Sequence, residues 1–304
     1  MRRLIAIEKA LLIGHIVSMA FGLAGLLLVL PHPEFVANLP DFGKTFFAWS
    51  MAGGGVVYMV LGMAAVAVYA YRTLGVWHWL GFMVPAISLS LCSELLGTST
   101  GFPFGHYRYL SGLGYKIAGL VPFTIPLSWF YLGFSAYIIA RVGLSTLALP
   151  QWLQNLGAIA IGAVLLTSWD FVLDPAMSQT TIPFWIWEQP GAFFGMPYEN
   201  FAGWFGTGCV FMTVATLIWQ VQPVKLPSQD LTLPFVMYLG NFGFATVMSM
   251  GAGIYPPIFL GLLTGILPLI LLYNRAKAVA SGQTVATSEV TTLKIPVVSV
   301  RGAK

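Results

Sequence analysis

Apolar stretches of about twenty residues recur through almost the whole chain and limit what it can fold into. A helix needs about 20 consecutive, mostly apolar residues to cross a bilayer. Only 8% of the residues are charged, against about 25% in a typical soluble domain. The sequence therefore predicts an all-α, polytopic integral membrane protein. Eight candidate spans cover approximately residues 10–30, 46–71, 77–96, 117–140, 153–173, 201–219, 231–250 and 254–273.

The two ends of the chain decide the helix count and the domain limits. The last two stretches are separated only by 251–257, and the eighth contains Pro268, so seven helices with one re-entrant piece are an alternative to eight. The first stretch, 10–30, is 21 residues long, longer than the about 7–15 residues of a signal-peptide core. It predicts a retained helix. We expect one transmembrane domain over residues 1–275, followed by a mobile polar tail over 276–304.

Basic residues between the stretches predict the orientation. With eight helices, the side that holds both termini carries eight Lys and Arg residues without the tail, and the opposite side carries three. Because cytoplasmic loops are enriched in Lys and Arg, both termini are predicted to be cytoplasmic in a multi-pass protein of the cell membrane. The long loops 97–116 and 174–200 then share the outer side. This distribution of charge does not indicate a nucleic-acid partner.

Acidic residues inside the apolar stretches are the sharpest guide to a functional site. Glu94 lies near the end of the third stretch, and Asp170 and Asp174 lie four residues apart at the end of the fifth, on one helix face. A charged group at membrane depth is costly and indicates function. Two neighbouring carboxylates in a low dielectric tend to retain a proton, which a general acid needs. Other acidic residues, such as Glu8, lie near termini or in loops, where solvated structural roles are expected.

Structural roles are the alternative for each of the three carboxylates. Glu94 could pair with Arg108 or Lys116 across the membrane boundary. Asp174 could end its helix before Pro175, because the residue before a proline disfavours helix. The sequence alone leaves these alternatives open.

An aromatic segment broken by Gly and Pro follows Glu94 and predicts a pocket at the membrane boundary. Its rings could belong to an interfacial aromatic belt, or they could line a pocket and stabilise a cation through their π faces. Glu199, in the second long loop, could instead have a structural role at the start of a helix, where the helix dipole stabilises a negative charge. The candidate substrate-binding residues are Phe104, His106, Tyr107, Tyr109, Trp187 and Glu199.

Motifs for other chemistries are sparse. The four histidines show no metal-ligand spacing, and no phosphate-binding or dinucleotide-binding loop is present. Asp170 and Asp174 are similar to part of the aspartate-rich motif of membrane prenyltransferases, which hold magnesium and a diphosphate, but no second motif appears. A prenyltransferase and a proton-coupled transporter with an acidic relay are the alternative functions.

A weak internal repeat is also visible. The segments VPFTIPLSWF (121–130) and MPYENFAGWF (196–205) share the order proline, aromatic residue, five residues, Trp-Phe at an offset of 75. This spacing is compatible with two tandem helix pairs in the same orientation, and equally with chance in an aromatic-rich chain.

Several short motifs together carry a family resemblance. They are Glu94-Leu-Leu-Gly97, the segment 100–109, the segment 170–175, Trp185-x-Trp187 and the segment 194–204. Over roughly residues 45–275 the chain resembles the carotenoid-biosynthesis membrane hydratases of the γ-carotene hydratase type.

The resemblance implies a hydro-lyase that adds water to the terminal (1′,2′) double bond of an acyclic ψ-end group. A tertiary 1′-hydroxy carotenoid would result, through protonation and capture of a tertiary carbocation by water. In this hypothesis Asp170 or Asp174 donates the proton, Glu94 holds the water, and aromatic rings line the cation's pocket. No cofactor or metal is expected. The implied partners are a lipophilic carotenoid in the bilayer, water, and downstream carotenoid-modifying enzymes.

Overall fold

Helices form nearly all of the structure, a computed structural model that describes residues 1–189, 191–226 and 230–282. One short π-helical turn extends the first helix to Val29, and a second connects the last two helices. The helices are α1 Arg2–Ala24, α2 Pro33–Ala37, α3 Asp41–Thr100, α4 Thr124–Ser145, α5 Gln151–Met177, α6 Tyr198–Val221, α7 Thr232–Gly251, α8 Pro256–Gly261 and α9 Leu267–Ala280. The strands are β1 Tyr107–Tyr109, β2 Lys116–Ile117, β3 Val121–Pro122 and β4 Trp185–Trp187.

Seven helices within the described residues are long and apolar enough to cross a membrane. The predicted all-α, polytopic membrane fold is therefore confirmed. One of the seven spans, Gly53–Thr100, has 48 residues. At 1.5 Å per residue it measures about 72 Å, more than twice the thickness of a hydrocarbon core.

The long helix α3 is bent back on itself at Gly75. This residue has φ 80° and ψ 171°, a conformation that glycine adopts without the steric cost of a Cβ. The rings of Tyr69 and Phe82 both contact Phe134, at centroid distances of 6.2 and 5.2 Å, although a straight helix would hold the two residues about 20 Å apart. The predicted stretches 46–71 and 77–96 are therefore the two helical arms of α3 on either side of this kink, so the eight predicted stretches and the seven candidate spans describe the same helices.

Strand pairing brings the two long loops together. Strands β1 and β4 are antiparallel, and Tyr107 lies opposite Trp187, Arg108 opposite Ile186, and Tyr109 opposite Trp185. A second pair, β2 with β3, forms a small hairpin before α4. The prediction that both long loops lie on one side of the molecule is confirmed. Their assignment to the outer side, and the cytoplasmic termini, stay predictions.

Helix α4 forms the centre of the bundle. Within its most apolar stretch of 18 residues, 94% of the residues are buried. The helix packs against α3, α5, α7 and α9. Helix α9 continues to Ala280, so its last five residues fall within the predicted tail. Residues 283–304 lie outside the described residues, so the mobile tail and the domain limit at 275 stay predictions.

Candidate active site

A cavity of about 50 Å³ lies where the ends of α3, α4, α5 and α6 meet the β1–β4 pair. Its volume is several times the about 10–15 Å³ that one ordered water requires. The polar side chains that line it are Glu94, Asp170, Asp174, Asn200 and Ser128. The largest group of lining residues is aromatic, namely Tyr58, Phe104, Tyr107, Tyr109, Trp169, Trp185, Trp187 and Trp204.

Glu94 is 2% exposed and is surrounded by neutral donors. Trp129 donates a hydrogen bond to its Oε1 at 2.9 Å, and Tyr109 donates one to its Oε2 at 2.9 Å. The phenol of Tyr107 donates a further hydrogen bond to Oε2. Three donors therefore fix this carboxylate at the end of α3.

The basic residues that were alternative partners of Glu94 bond elsewhere. Arg108 lies 3.2 Å from Glu188, and both side chains are at least half exposed. Lys116 Nζ donates to the main-chain oxygen of Tyr109 at 2.7 Å. The ion-pair alternative for Glu94 is therefore wrong.

The two tyrosines beside Glu94 are held in their neutral form. Burial raises the pKa of Tyr107 and of Tyr109 well above the ordinary value for a phenol, and the negative charge of Glu94 raises both pKa values further. Both phenols therefore remain protonated donors at and well above neutral pH.

Asp174 and Asp170 share a single amide donor. Asn200 Nδ2 lies 2.8 Å from Asp170 Oδ2 and 3.1 Å from Asp174 Oδ2. The indoles of Trp185 and Trp187 donate to the other oxygen of Asp174, Oδ1, at 2.9 and 3.0 Å. Among the described residues, Asp170 thus accepts one hydrogen bond, whereas Glu94 and Asp174 each accept three.

The proline after Asp174 does not stop its helix. Pro175 lies inside α5, which continues to Met177, and Asp174 itself is 4% exposed. The alternative in which Asp174 serves only as a helix end is therefore wrong. Helical spacing places Asp170 and Asp174 one turn apart on the face that meets α6.

Alternation along the paired strands sets which loop side chains reach the carboxylates. Successive side chains of a strand point to opposite faces, so Tyr107 and Tyr109 are buried and Arg108 is exposed. Trp185 and Trp187 share a face in β4 and both lie against Asp174. The paired Tyr-Arg-Tyr and Trp-Ile-Trp strands thus place the phenol and indole hydrogen-bond donors of two loops against the buried carboxylates.

Two of the predicted substrate-binding residues lie outside the cavity. His106 is exposed, because it precedes the inward-facing Tyr107 and points away, and its ring packs against Gly101. Glu199 is exposed in the first turn of α6, because adjacent helix positions differ by about 100° and its neighbour Asn200 takes the inward direction. The structure does bring together the remaining candidates, namely Glu94, Asp170, Asp174, Phe104, Tyr107, Tyr109 and Trp187.

Sequence reasoning missed several neutral residues of the site. Asn200, Trp129, Trp185 and Trp204 carry no charge and so gave no sign of membrane-buried polarity. The signal for Trp185 was its two-residue spacing from Trp187. The sequence signal for Trp129 and Trp204 was the 75-residue offset of the internal repeat. In the structure their rings stack, with centroids 3.9 Å apart and planes at 15°.

Comparison with known proteins assigns a family to this arrangement. The family model for carotenoid biosynthesis proteins matches residues 54–268. The chain belongs to the carotenoid biosynthesis protein family. The matched region contains every residue that lines the carboxylate cavity, from Tyr58 to Trp204.

One curated relative in this family carries a functional name. The bisanhydrobacterioruberin hydratase of Haloarcula japonica is 38% identical to the chain over 127 residues. The alignment covers 41% of each protein, so the chain matches about two fifths of that relative's length. No solved structure matches the chain significantly.

Proposed function

We propose that this member of the carotenoid biosynthesis family is a hydratase. It adds water to the terminal (1′,2′) double bond of an acyclic ψ-end group and gives a tertiary 1′-hydroxy carotenoid. The observation that carries the proposal is the unequal hydrogen bonding of three buried carboxylates in one aromatic cavity. The hydratase name of the Haloarcula japonica relative supports the same activity.

Asp170 is the proton donor in this mechanism. Hydrogen bonds from neutral donors favour the ionised form of a carboxylate, and Glu94 and Asp174 each receive three of them. Asp170 receives one, from Asn200, and stands one turn from the carboxylate of Asp174. The shared proton of this cluster therefore resides on Asp170, in position for transfer to the substrate.

The first step transfers that proton to the less substituted alkene carbon, C2′. The π electrons form the new C–H bond and leave a tertiary cation at C1′. Aromatic faces attract a cation through their quadrupole, and the walls of the cavity present the indoles of Trp187 and Trp204. The ionised carboxylates of Glu94 and Asp174 stabilise the same positive charge.

The second step captures the cation with water. A carboxylate offers about four lone-pair sites, and three donors occupy those of Glu94, which leaves one for a water molecule. The water oxygen bonds to C1′, and its released proton returns to the carboxylate cluster. The net change is one water added, with no oxidation or reduction.

The position of the cavity suits a polyene held in the bilayer. A space of about 50 Å³ is far smaller than a carotenoid, so only the end group would enter it, and the surrounding side chains would have to move apart to admit that group and a water. The rest of the carotenoid would extend between the helices into lipid. Water would arrive from the side on which the β1–β4 pair lies.

Neither alternative function has comparable support. A prenyltransferase must bind a diphosphate, but the described residues that line the cavity include no Lys, Arg or His. The carboxylate oxygens are instead directed at indole, phenol and amide donors. Transporters are often built from inverted repeats, whereas the matched segments here begin two helices, α4 and α6, that run in the same direction.

Product analysis tests the proposal. Membranes that contain the protein are incubated with an acyclic, ψ-ended carotenoid, and the pigments are analysed by chromatography and mass spectrometry. We expect a product heavier by one water, formed equally well in the presence of a metal chelator. Failure of folded protein to convert any ψ-ended carotenoid, or conversion only with an isoprenoid diphosphate, would refute the hydratase assignment.

A further inference from the structure

A second cavity, of about 280 Å³, lies at the opposite ends of the helices that build the carboxylate site. It is lined by the last turns of α4, the first turns of α5, and the end of α6 with the segment that follows. Six of its ten lining residues have polar side chains, although apolar atoms form more of its surface, and the hydration mechanism uses none of these residues. The residues that matter here are Arg141, Gln151, Gln154, Asn155, Trp219 and Gln220.

Arg141 is a buried cation that lines this cavity and is only 7% exposed. Its Nη1 donates to the phenol of Tyr137, and its Nε is buried without an acceptor. The guanidinium lies over the rings of Trp219 and Tyr137, 5.4 and 5.6 Å from their centroids. In the part of the chain that the structure describes, no carboxylate forms an ion pair with it.

Such an arginine is expensive unless an anion accompanies it. A buried charge without a partner is strongly unfavourable, and an ionisable group inside a membrane protein indicates a functional site. The ring contacts orient the guanidinium but supply no negative charge. The remaining N–H donors of the planar guanidinium group match the geometry of a phosphate group.

The surroundings of Arg141 add further features of a phosphate site. Gln151 is the first residue of the 27-residue helix α5, whose N-terminus carries partial positive charge and free N–H groups. Gln151 and Asn155 hydrogen-bond to each other at 3.0 Å on this wall. Two apolar side chains of the same helix, Trp152 and Leu156, are 66% and 55% exposed one turn apart. They offer an exposed apolar surface on the same turns of α5 as the cavity residues Gln151 and Asn155.

We propose that the Arg141 cavity binds the phosphate group of an anionic membrane phospholipid. The guanidinium and the N-terminus of α5 hold the phosphate, and an acyl chain lies along Trp152 and Leu156. The position at the helix ends corresponds to the depth of a lipid headgroup. This site is independent of the hydratase assignment, because it shares no residue with the carboxylate cavity.

Lipid binding by the purified full-length protein tests the proposal. Delipidated protein in detergent is titrated with phosphatidylglycerol, phosphatidylcholine and inorganic phosphate, and binding is followed by native mass spectrometry and by the melting temperature. A ligand that binds only the folded state raises the melting temperature in a saturable manner. We expect phosphatidylglycerol to bind and to raise the melting temperature more than the other two ligands.

Substitutions then locate the site. Arg141→Gln is expected to weaken phosphatidylglycerol binding by about tenfold or more, since hydrogen bonds to a charged group are lost. Arg275→Gln is the matched control, because Arg275 lies near the same helix ends and bonds to Thr146 at 3.4 Å. We expect the control to bind like the wild type. Equal loss in both variants would show non-specific charge attraction and would overturn the proposal.

The wild-type titrations alone can also overturn it. The proposal fails if phosphatidylglycerol stabilises the protein no more than phosphatidylcholine. Equal stabilisation by inorganic phosphate would overturn the lipid as the source of the phosphate. If Arg141→Gln does not fold, Arg141→Lys keeps the charge but loses the planar guanidinium group, and we expect it to weaken binding severalfold.

Discussion

At the scale of single residues, three carboxylates with the same chemistry differ in what surrounds them. Glu94 and Asp174 are each held by three neutral donors, whereas Asp170 shares one amide with its neighbour. In the proposed mechanism, this difference separates the proton donor, Asp170, from two groups that stabilise positive charge. It is the basis of the proposed mechanism.

Substitution of the proton donor is the first prediction. Asp170→Asn keeps the size of the side chain and removes its transferable proton, so we expect kcat for hydration to fall by about 10²–10⁴-fold. Initial rates with a ψ-ended carotenoid, in membranes with matched protein content, give the measurement.

Glu199→Gln is the matched control for Asp170→Asn. It also removes one carboxylate, but from the exposed first turn of α6 next to Asn200. We expect its rate to stay within about twofold of the wild type, since surface substitutions have small effects. Full activity of a folded Asp170→Asn protein would show that another group supplies the proton.

The sequence analysis located all the charged residues of the site but only some of the neutral ones. Glu94, Asp170 and Asp174 were found because a charge inside an apolar stretch demands an explanation. Asn200 and Trp129 donate to those same carboxylates, but amides and indoles are ordinary in membrane helices. Which neutral donors face a carboxylate depends on helix rotation and loop pairing, and neither can be read from composition.

At the scale of elements, the tandem arrangement gains support. The offset of 75 relates Trp129 of α4 to Trp204 of α6, and these rings stack. Strands β1 and β4, one from each long loop, pair with each other. The two helix pairs thus meet at an equivalent tryptophan, as expected for two similar units packed around a shared site.

Cross-linking across the β1–β4 pair is the second prediction. Arg108 and Ile186 lie directly opposite each other, and Cβ atoms of opposed residues in an antiparallel pair are about 4.5–5.5 Å apart. The double variant Arg108→Cys with Ile186→Cys should form a disulfide under mild oxidation, which a mass shift after proteolysis detects.

The cross-link has a direct control. Arg108→Cys combined with Val224→Cys places the second thiol in the segment after α6, at the other end of the bundle, and should not cross-link. Absence of a disulfide in the opposed pair, in folded protein, would show that the two long loops do not meet.

Sequence patterns were less informative for these short elements than for the helices. The eight apolar stretches correspond to helical segments because length and apolarity suffice to identify them. Strands of three residues are too short to show a clear alternation, and their pairing joins segments almost 80 residues apart. The predicted division between stretches 46–71 and 77–96 agrees with the kink at Gly75, where the backbone leaves the helical conformation.

At the scale of the whole molecule, an ion cluster of Arg72, Glu8 and Asp230 connects the N-terminal helix α1 to the rest of the bundle. Arg72 forms two hydrogen bonds of 2.8 Å with Glu8 and one of 2.6 Å with Asp230. Glu8 is 4% exposed, so the solvated role expected from its place near the terminus is wrong. The reason is that this face of α1 packs against α3, which buries the acid opposite an arginine.

Removal of this arginine is the third prediction. Arg72→Met leaves the buried carboxylate of Glu8 without its partner, so we expect the free energy of unfolding to fall by about 3–5 kcal/mol. Arg108→Met is the control, because its ion pair with Glu188 is exposed and is worth about 0–1 kcal/mol. Denaturant unfolding in one detergent measures both, and equal effects would contradict the assigned role.

In the proposed mechanism, the carboxylate cavity hydrates an alkene by protonation followed by capture of water. Conversion of a ψ-ended carotenoid in H₂¹⁸O and, separately, in D₂O tests it most directly, with the product examined by mass spectrometry. We predict one ¹⁸O in the tertiary hydroxyl and one carbon-bound deuterium at the adjacent position, both lost in Asp170→Asn. A hydroxyl oxygen that does not come from water, or a product without carbon-bound deuterium, would contradict the account.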